Sequence, residues 1–139
     1  MNVLVTDQGF EDDDWGHGFT TIDQLAANDA APAVAVDLKS DFDPISLRER
    51  LPGIDLIRVD FPSFADGRGF TIARQLRHMG FQGRLRAKCH VIADQYALAR
   101  RSGFDEVEID DELAKRQPEK QWLARADWGA HDYQSRLRG

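Results

Sequence analysis

Residues 59–86, VDFPSFADGRGFTIARQLRHMGFQGRLR, contain in order the end of a strand, a loop with two glycines, a helix, a turn and the start of a second strand. Pro62 cannot donate to a sheet ladder and therefore ends the first strand near Phe61. Gly67 and Gly69 permit tight backbone geometry in the loop, and apolar residues at helical spacing follow them. The stretch therefore predicts a strand–loop–helix–strand unit.

The same alternation of strand and helix recurs on both sides of this unit. Strands are predicted at residues 33–38, 55–61, 85–91 and 104–109, and helices at residues 44–51, 70–79, 93–101 and 112–126, the last with a break at Pro118. Four βα units in series predict an α/β fold with a mainly parallel sheet, as a half-barrel or an open three-layer arrangement. Residues 2–6 and 10–15 flank a turn and predict an N-terminal β-hairpin. We expect a single domain with hairpin and linker (1–32), βα repeats (33–126) and a tail (127–139).

The predicted strands alternate apolar and charged side chains instead of being apolar throughout. Ile57 and Val59 would lie on one face of the sheet, and Arg58 and Asp60 on the other. The apolar face should lie beneath the helices, leaving a charged face without helices, as inside a half-barrel. Ligands bind at the carboxyl ends of strands in such folds, although the charged side chains could also do no more than pair across strands.

The loop and the charged face together predict a ligand site. A helix that begins near residues 69–71 would present free N–H groups and its positive dipole end to an anion, with Arg68 beside it. The alternative is that Asp66 caps the helix and Arg68 is solvated. The predicted anion- or ligand-binding residues are Asp60, Asp66, Gly67, Arg68, Gly69 and Arg86, with His90, Asp94 and Gln95 as secondary candidates. Asp94 and Gln95 open a predicted helix, where capping is the alternative role.

The net charge of −6 is unevenly distributed along the chain. Residues 1–57 carry three basic and twelve acidic side chains, residues 58–101 nine basic and three acidic, and residues 102–139 six basic and nine acidic. The basic middle would attract a small anion or an acidic protein partner, unless the acidic flanks fold back and neutralise it. Nucleic acid is disfavoured because the overall charge is negative and no basic–aromatic stacking pattern is present.

The 139-residue sequence offers no cofactor motif. Its single cysteine, Cys89, excludes an internal disulfide and a cysteine-ligated iron–sulfur cluster within one chain. The histidines lack the paired spacing of a metal site, so we predict no metal and no cofactor. Without a signal peptide or a membrane-spanning apolar run, we expect a cytoplasmic protein that does not contact a membrane.

Several motifs between residues 60 and 105 resemble one bacterial family. They are Asp60-Phe61-Pro62, Asp66-Gly67-Arg68-Gly69-Phe70, Gly80-Phe81, Asp94-Gln95 and Gly103-Phe104-Asp105. The resemblance is to family 934 of the bacterial domains of unknown function, whose members are usually encoded beside assimilatory sulfite reductase. It implies a role in sulfite reduction and assigns no reaction. The family typically has a glycine and an acidic or amide residue where Cys89 and His90 stand, which argues against a catalytic role for either.

Three functional hypotheses follow. The first is an accessory protein of the sulfite reductase system that binds an anion or an acidic redox partner through the basic middle. The second is a small enzyme in which Asp60 or Asp66 acts as acid–base and Arg68 or Arg86 holds an anionic substrate. The third is a scaffold that forms a homodimer, because an uncovered sheet leaves its edges unprotected. Without a redox-cofactor motif, the sequence leaves enzymatic activity open.

Overall fold

The computed structural model describes residues 3–15, 18–21, 34–61, 67–88, 95–117 and 119–124. The strands are β1 (Val3–Thr6), β2 (Gly9–Glu11), β3 (Ala35–Lys39), β4 (Leu56–Asp60), β5 (Arg84–Lys88) and β6 (Glu106–Ile109). The α-helices are α1 (Arg68–His78), α2 (Tyr96–Ser102), α3 (Asp111–Arg116) and α4 (Glu119–Leu123), and two short 3₁₀ helices span Pro44–Leu47 and Leu51–Gly53.

The six strands form one sheet in the order β2-β1-β6-β5-β4-β3. Strands β3 to β6 are parallel and lie in chain order, as expected for successive βα units. The β1–β2 hairpin adds to β6 in antiparallel orientation. The predicted α/β fold, its mainly parallel sheet and its N-terminal hairpin are confirmed. The predicted tail, residues 127–139, lies outside the described residues.

The hydrophobic core lies on one face of the sheet. Its strand residues alternate with the charged ones, as in Ile57 and Val59 of β4 and Leu85 and Ala87 of β5. Helices α1, α2 and α4 contribute buried side chains to the same cluster, namely Phe70, Ile72, Ala73, Leu76, Tyr96, Ala99 and Trp122. Because all these strand residues point to one side, the helices that contribute to the core pack on that side, as the half-barrel alternative requires.

Helices α1 and α2 end in the same way. Gly80 and Gly103 follow them with φ of 98° and 118°, a left-handed conformation that glycine adopts without a Cβ penalty. The next residue, Phe81 or Phe104, donates its N–H back to a carbonyl of the last helical turn at 3.0 Å and buries its ring. This Schellman-type ending turns the chain from each helix into the following strand.

The N-terminal segment reaches both the other face and one edge of the sheet. Asp13, Asp14 and Phe19 contact the arginines of the charged face. Thr20 then forms a parallel bridge beside β3, with its N–H donating to the Ala35 carbonyl at 2.8 Å. This segment therefore contacts the face that carries no core helix and part of the β3 edge. Within the described ranges, no helix has the length and apolarity needed to cross a bilayer.

Candidate functional site

Two rows of charged side chains cross the face of the sheet opposite the core. The first row is Asp37, Arg58, Arg86 and Glu106, and the second is Lys39, Asp60, Lys88 and Glu108. Each row runs across β3, β4, β5 and β6 in register, so neighbours in a row lie about 4.8 Å apart. In the first row the charged side chains are paired with one another or with nearby carboxylates, whereas in the second row Lys39, Asp60 and Lys88 form no ion pair with a described side chain.

Arg86 lies at the centre of the first row and is buried. Its Nε donates to Glu106 at 2.6 Å, and one terminal nitrogen donates to Glu108 at 2.8 Å and to Asp13 at 3.2 Å. Burial acts to lower the pKa of Arg86, but the charge of Glu106 and the hydrogen bonds of its carboxylate partners raise it overall. Arg86, a predicted anion ligand, thus already holds three carboxylates.

Arg58, next to Arg86, is held in the same way. It forms a two-pronged ion pair with Asp37, with N–O distances of 2.5 and 2.8 Å, and donates to Glu108 at 3.0 Å. The Phe19 ring covers it, with the guanidinium carbon 3.6 Å from the ring centroid. A planar guanidinium suits both the bidentate pair and the aromatic contact. The first row is therefore a closed charge network.

The acidic N-terminal segment supplies part of that network. Asp13 pairs with Arg86, and Asp14 pairs with Arg84 at 2.8 Å. Nearer the N-terminus, Asp7 pairs with Arg100 at 3.2 Å. The acidic flank thus folds back on the basic middle, which was the alternative to a basic surface open to ligands. Asp13 and Asp14 are therefore part of the charge network and do not form a turn surrounded only by solvent.

The glycine loop has a packing role at one of its two glycines. Gly69 is buried at the start of α1, and a Cβ at this position would collide with the Phe61 ring. Gly67 is exposed, and a Cβ there would meet nothing within 4 Å. Gly69 therefore allows α1 to approach the end of β4, and Arg68 is exposed in the first turn of the helix.

The structure places the predicted site residues in different environments. Asp60 and Arg86 share the charged face but belong to different rows. Gln95 precedes α2 and makes no side-chain capping bond. Asp66, His90 and Asp94 lie outside the described residues. Anion binding by this set stays a prediction.

A cavity of about 500 Å³ opens at the carboxyl ends of β3, β4 and β5. Lys39, Asp60 and Lys88 are the last residues of these strands and line it, together with Thr21, Asp37, Leu38, Asp41 and Phe42. Unlike Arg58 and Arg86, neither lysine forms an ion pair with a described side chain. Parallel α/β sheets bind ligands at this end. We call this cavity the strand-end cavity.

Sequence reasoning found Asp60 in this cavity and missed the two lysines. Lys39 directly follows one predicted strand and Asp60 is near the end of the next, but Lys88 lies in the middle of the strand predicted at residues 85–91, which the structure ends at Lys88. Only the alignment of the observed strands brings the three residues together. That alignment needed the register between strands, which the sequence pattern alone did not provide.

A second concave surface lies on the helical side of the protein. It lies between the first 3₁₀ helix and α1, has a volume of about 440 Å³, and is lined by Ile45, Arg48, Arg74, Gln75, His78 and Met79. Ile45 is 58% exposed, the highest value among the large hydrophobic residues of the described chain. None of the described residues that line this surface is acidic. We call it the α1 groove.

Two other helical arginines have internal partners and do not extend the α1 groove. Arg77 donates to the carbonyls of Phe81, Gly83 and Gly103 and pairs with Asp105 at 2.9 Å. Arg100 donates to the Phe104 carbonyl at 2.6 Å. These two arginines therefore hold the loops that leave α1 and α2.

The structure shows no metal cluster within its described ranges. No group of three or more His, Cys, Asp or Glu side chains there has a geometry that could hold a metal ion. Cys89 and His90 lie outside those ranges.

Comparison with known proteins defines the family. A family model described as "Bacterial protein of unknown function (DUF934)" matches residues 35–139, which span the parallel strands, all the described helices and the α1 groove. Searches of curated proteins and of solved structures found no similar protein. The chain therefore belongs to the DUF934 family of bacterial proteins.

Proposed function

We propose that this protein is an accessory component of assimilatory sulfite reduction that binds the acidic surface of a redox partner through the α1 groove. The observation that carries the proposal is the composition of that groove. Ile45 and Met79 provide apolar contact area, while Arg48, Arg74 and His78 provide basic groups.

The basic charge of the groove is not neutralised within the described chain. Arg58, Arg84 and Arg86 are paired with carboxylates, but Arg48 and Arg74 make no ion pair with a described side chain. These two arginines are exposed. A partner with acidic groups around an apolar residue would complement this surface in charge and in shape.

Ile45 would be the anchor of the interface. Most binding energy at an interface comes from a few apolar or arginine side chains that become buried, surrounded by weaker polar contacts. An exposed isoleucine that lines the same groove as two arginines matches that arrangement. The assignment to sulfite reduction rests on the family resemblance, and the assignment of the surface rests on the groove.

The proposal is tested by measuring binding of the purified protein to each protein of the sulfite reductase system, by biolayer interferometry at low and physiological ionic strength. We expect at least one component to bind and its affinity to fall as salt rises, because salt screens exposed charges beyond about 10 Å at 0.1 M. The double substitution Arg48→Glu/Arg74→Glu should weaken binding at least tenfold.

The matched control is Lys115→Glu/Arg116→Glu, which reverses two exposed charges on α3, away from the groove. This variant changes the net charge by the same amount and should bind like the unmodified protein. Equal loss in both double variants would show that only net charge matters. That result, or no binding by any component, would contradict the proposal.

A further inference from the structure

We infer that the strand-end cavity is a binding site for a free amino acid, with Lys39 and Lys88 holding its carboxylate and Asp60 its ammonium group. This site goes beyond the proposed function, because it lies at the strand ends on the charged side of the sheet and shares no lining residue with the α1 groove.

The position of the cavity is the first argument. Lys39, Asp60 and Lys88 are paired in register at the ends of three adjacent parallel strands. Their side chains therefore project from the same face, with the aspartate between the lysines. A volume of about 500 Å³ is within the usual range for small-molecule sites.

The state of the charges is the second argument. Two positions earlier on the same face of each strand, Asp37, Arg58 and Arg86 belong to the closed network. Lys39, Asp60 and Lys88 make no hydrogen bond or ion pair through their side chains with any described residue, although they are neighbours in the sheet. Among the described residues, these three charges are therefore unpaired where they line the cavity.

The balance of charge is the third argument, and it selects the ligand class. Asp37 is neutralised by Arg58, so the remaining charged groups of the lining are two lysines and two aspartates, Asp41 and Asp60. A simple anion would satisfy the lysines and leave both carboxylates without a partner, whereas a zwitterion satisfies both signs. Phe42 and the Thr21 hydroxyl add an apolar and a polar contact for the rest of the ligand.

The test is thermal unfolding of the full chain with each of the twenty L-amino acids, one at a time. Sodium sulfate and acetate serve as anion probes, and methylamine as a cation probe. A ligand that binds only the folded state raises the melting temperature, and the shift grows with the logarithm of the ligand concentration above its dissociation constant. We expect one or a few amino acids to raise it, and the anions and methylamine at the same concentration to have a smaller effect.

Substitutions locate the site. Asp60→Asn and Lys88→Gln should each reduce the amino-acid-induced shift at least by half, while Lys115→Gln, an exposed lysine on α3, should leave it unchanged. Lys39→Gln provides a second lysine variant at an exposed position. Circular dichroism of each variant before ligand is added checks that it is folded.

Three results would overturn the inference. They are no shift with any amino acid, a shift that sulfate or acetate reproduces in full, and a shift that persists in both Asp60→Asn and Lys88→Gln. None of them bears on partner binding at the α1 groove, so the two proposals can fail separately.

Discussion

Arg86 donates a 2.6 Å hydrogen bond from Nε to the Glu106 carboxylate, and the Arg86 side chain is 0% exposed. The two residues come from neighbouring strands, and Glu106 also accepts from Arg84. Their pairing forms a buried charge network on the face of the sheet opposite the hydrophobic core. Because the network is internally compensated, Arg86 supports the structure.

Replacing Arg86 with methionine should destabilise the protein strongly. The substitution removes the buried positive charge between Glu106, Glu108 and Asp13 and leaves carboxylates without their central partner. Breaking a buried ion pair on one side costs about 3 kcal/mol or more of unfolding free energy. Urea unfolding followed by circular dichroism measures this, with exposed Arg74→Met as the control, expected within about 0.5 kcal/mol of the unmodified protein. If Arg86→Met and Arg74→Met were equally stable, the structural role assigned to the buried network would be contradicted.

The two glycines before α1 should respond differently to alanine. Gly69→Ala places a methyl group against the Phe61 ring and should cost about 1–3 kcal/mol, as for other overpacked sites. Gly67→Ala adds a methyl group in open space at φ −82°, so its effect should stay within about 0.5 kcal/mol. Chemical denaturation of both variants provides the measurement. A Gly67→Ala variant as destabilised as Gly69→Ala would contradict the packing role assigned to Gly69.

Tyr96 should resist ionisation in alkaline solution. Burial and the 2.6 Å hydrogen bond that its hydroxyl donates to Asp7 raise the pKa of Tyr96 well above its usual value. A raised folded-state pKa contributes stability that is complete below the unfolded-state pKa near 10, and this stability is lost as pH rises from there toward the folded-state value.

Optical titration of phenolate absorbance can test this in a Tyr133→Phe background, where Tyr96 is the single tyrosine. We expect no phenolate signal near pH 11 while circular dichroism still reports a folded chain, and a signal that appears together with unfolding at higher pH. Ionisation of Tyr96 in the folded protein near pH 10 would show that the Asp7 contact and the burial are absent.

Asp13 should make part of the free energy of unfolding depend on pH in the acidic range. Burial acts to raise the pKa of Asp13, but hydrogen bonds from the Trp15 N–H and from Arg86 lower it overall. A lowered folded-state pKa contributes stability that is present above the unfolded-state value of about 3.9, and this stability is lost as pH falls through the folded-state value.

The measurement is urea unfolding of the unmodified protein and of Asp13→Asn between neutral and acidic pH. We expect the unmodified protein to be more stable at neutral pH, and we expect the difference in unfolding free energy to shrink as pH falls through the folded-state pKa of Asp13, where this carboxylate becomes protonated. The exposed neighbour Asp12→Asn should differ little at any pH. If the difference in unfolding free energy between the unmodified protein and Asp13→Asn did not depend on pH, the charge of Asp13 would not be its cause. That result would contradict the prediction.

The arrangement of strands and helices was readable because its signals are local. The Gly80-Phe81 and Gly103-Phe104 pairs end α1 and α2, and the alternation in β4 separates an apolar face from a charged one. These features depend on residues within a few positions of one another. Most strands and helices, the break between α3 and α4 and the N-terminal hairpin were therefore predicted near their observed positions. The exception is the helix predicted at residues 44–51, where the structure has two short 3₁₀ helices, Pro44–Leu47 and Leu51–Gly53.

The candidate site was only partly predictable because its contacts are distant in sequence. Asp60 was selected from its strand position, but its neighbours Lys39 and Lys88 follow only from the register of three strands. Arg86 was expected to bind an anion. The sequence offered no means of knowing that Asp13, 73 positions away, would reach it.

The sequence by itself determined the fold class, the order of the βα units and the existence of a charged sheet face, since apolar periodicity and glycine turns act over short distances. The tertiary structure alone decided which charges neutralise one another. Ion pairing depends on the alignment of strands from separate units and on the path of the N-terminal segment. That alignment closes the network around Arg86 and leaves Lys39, Asp60 and Lys88 facing the strand-end cavity.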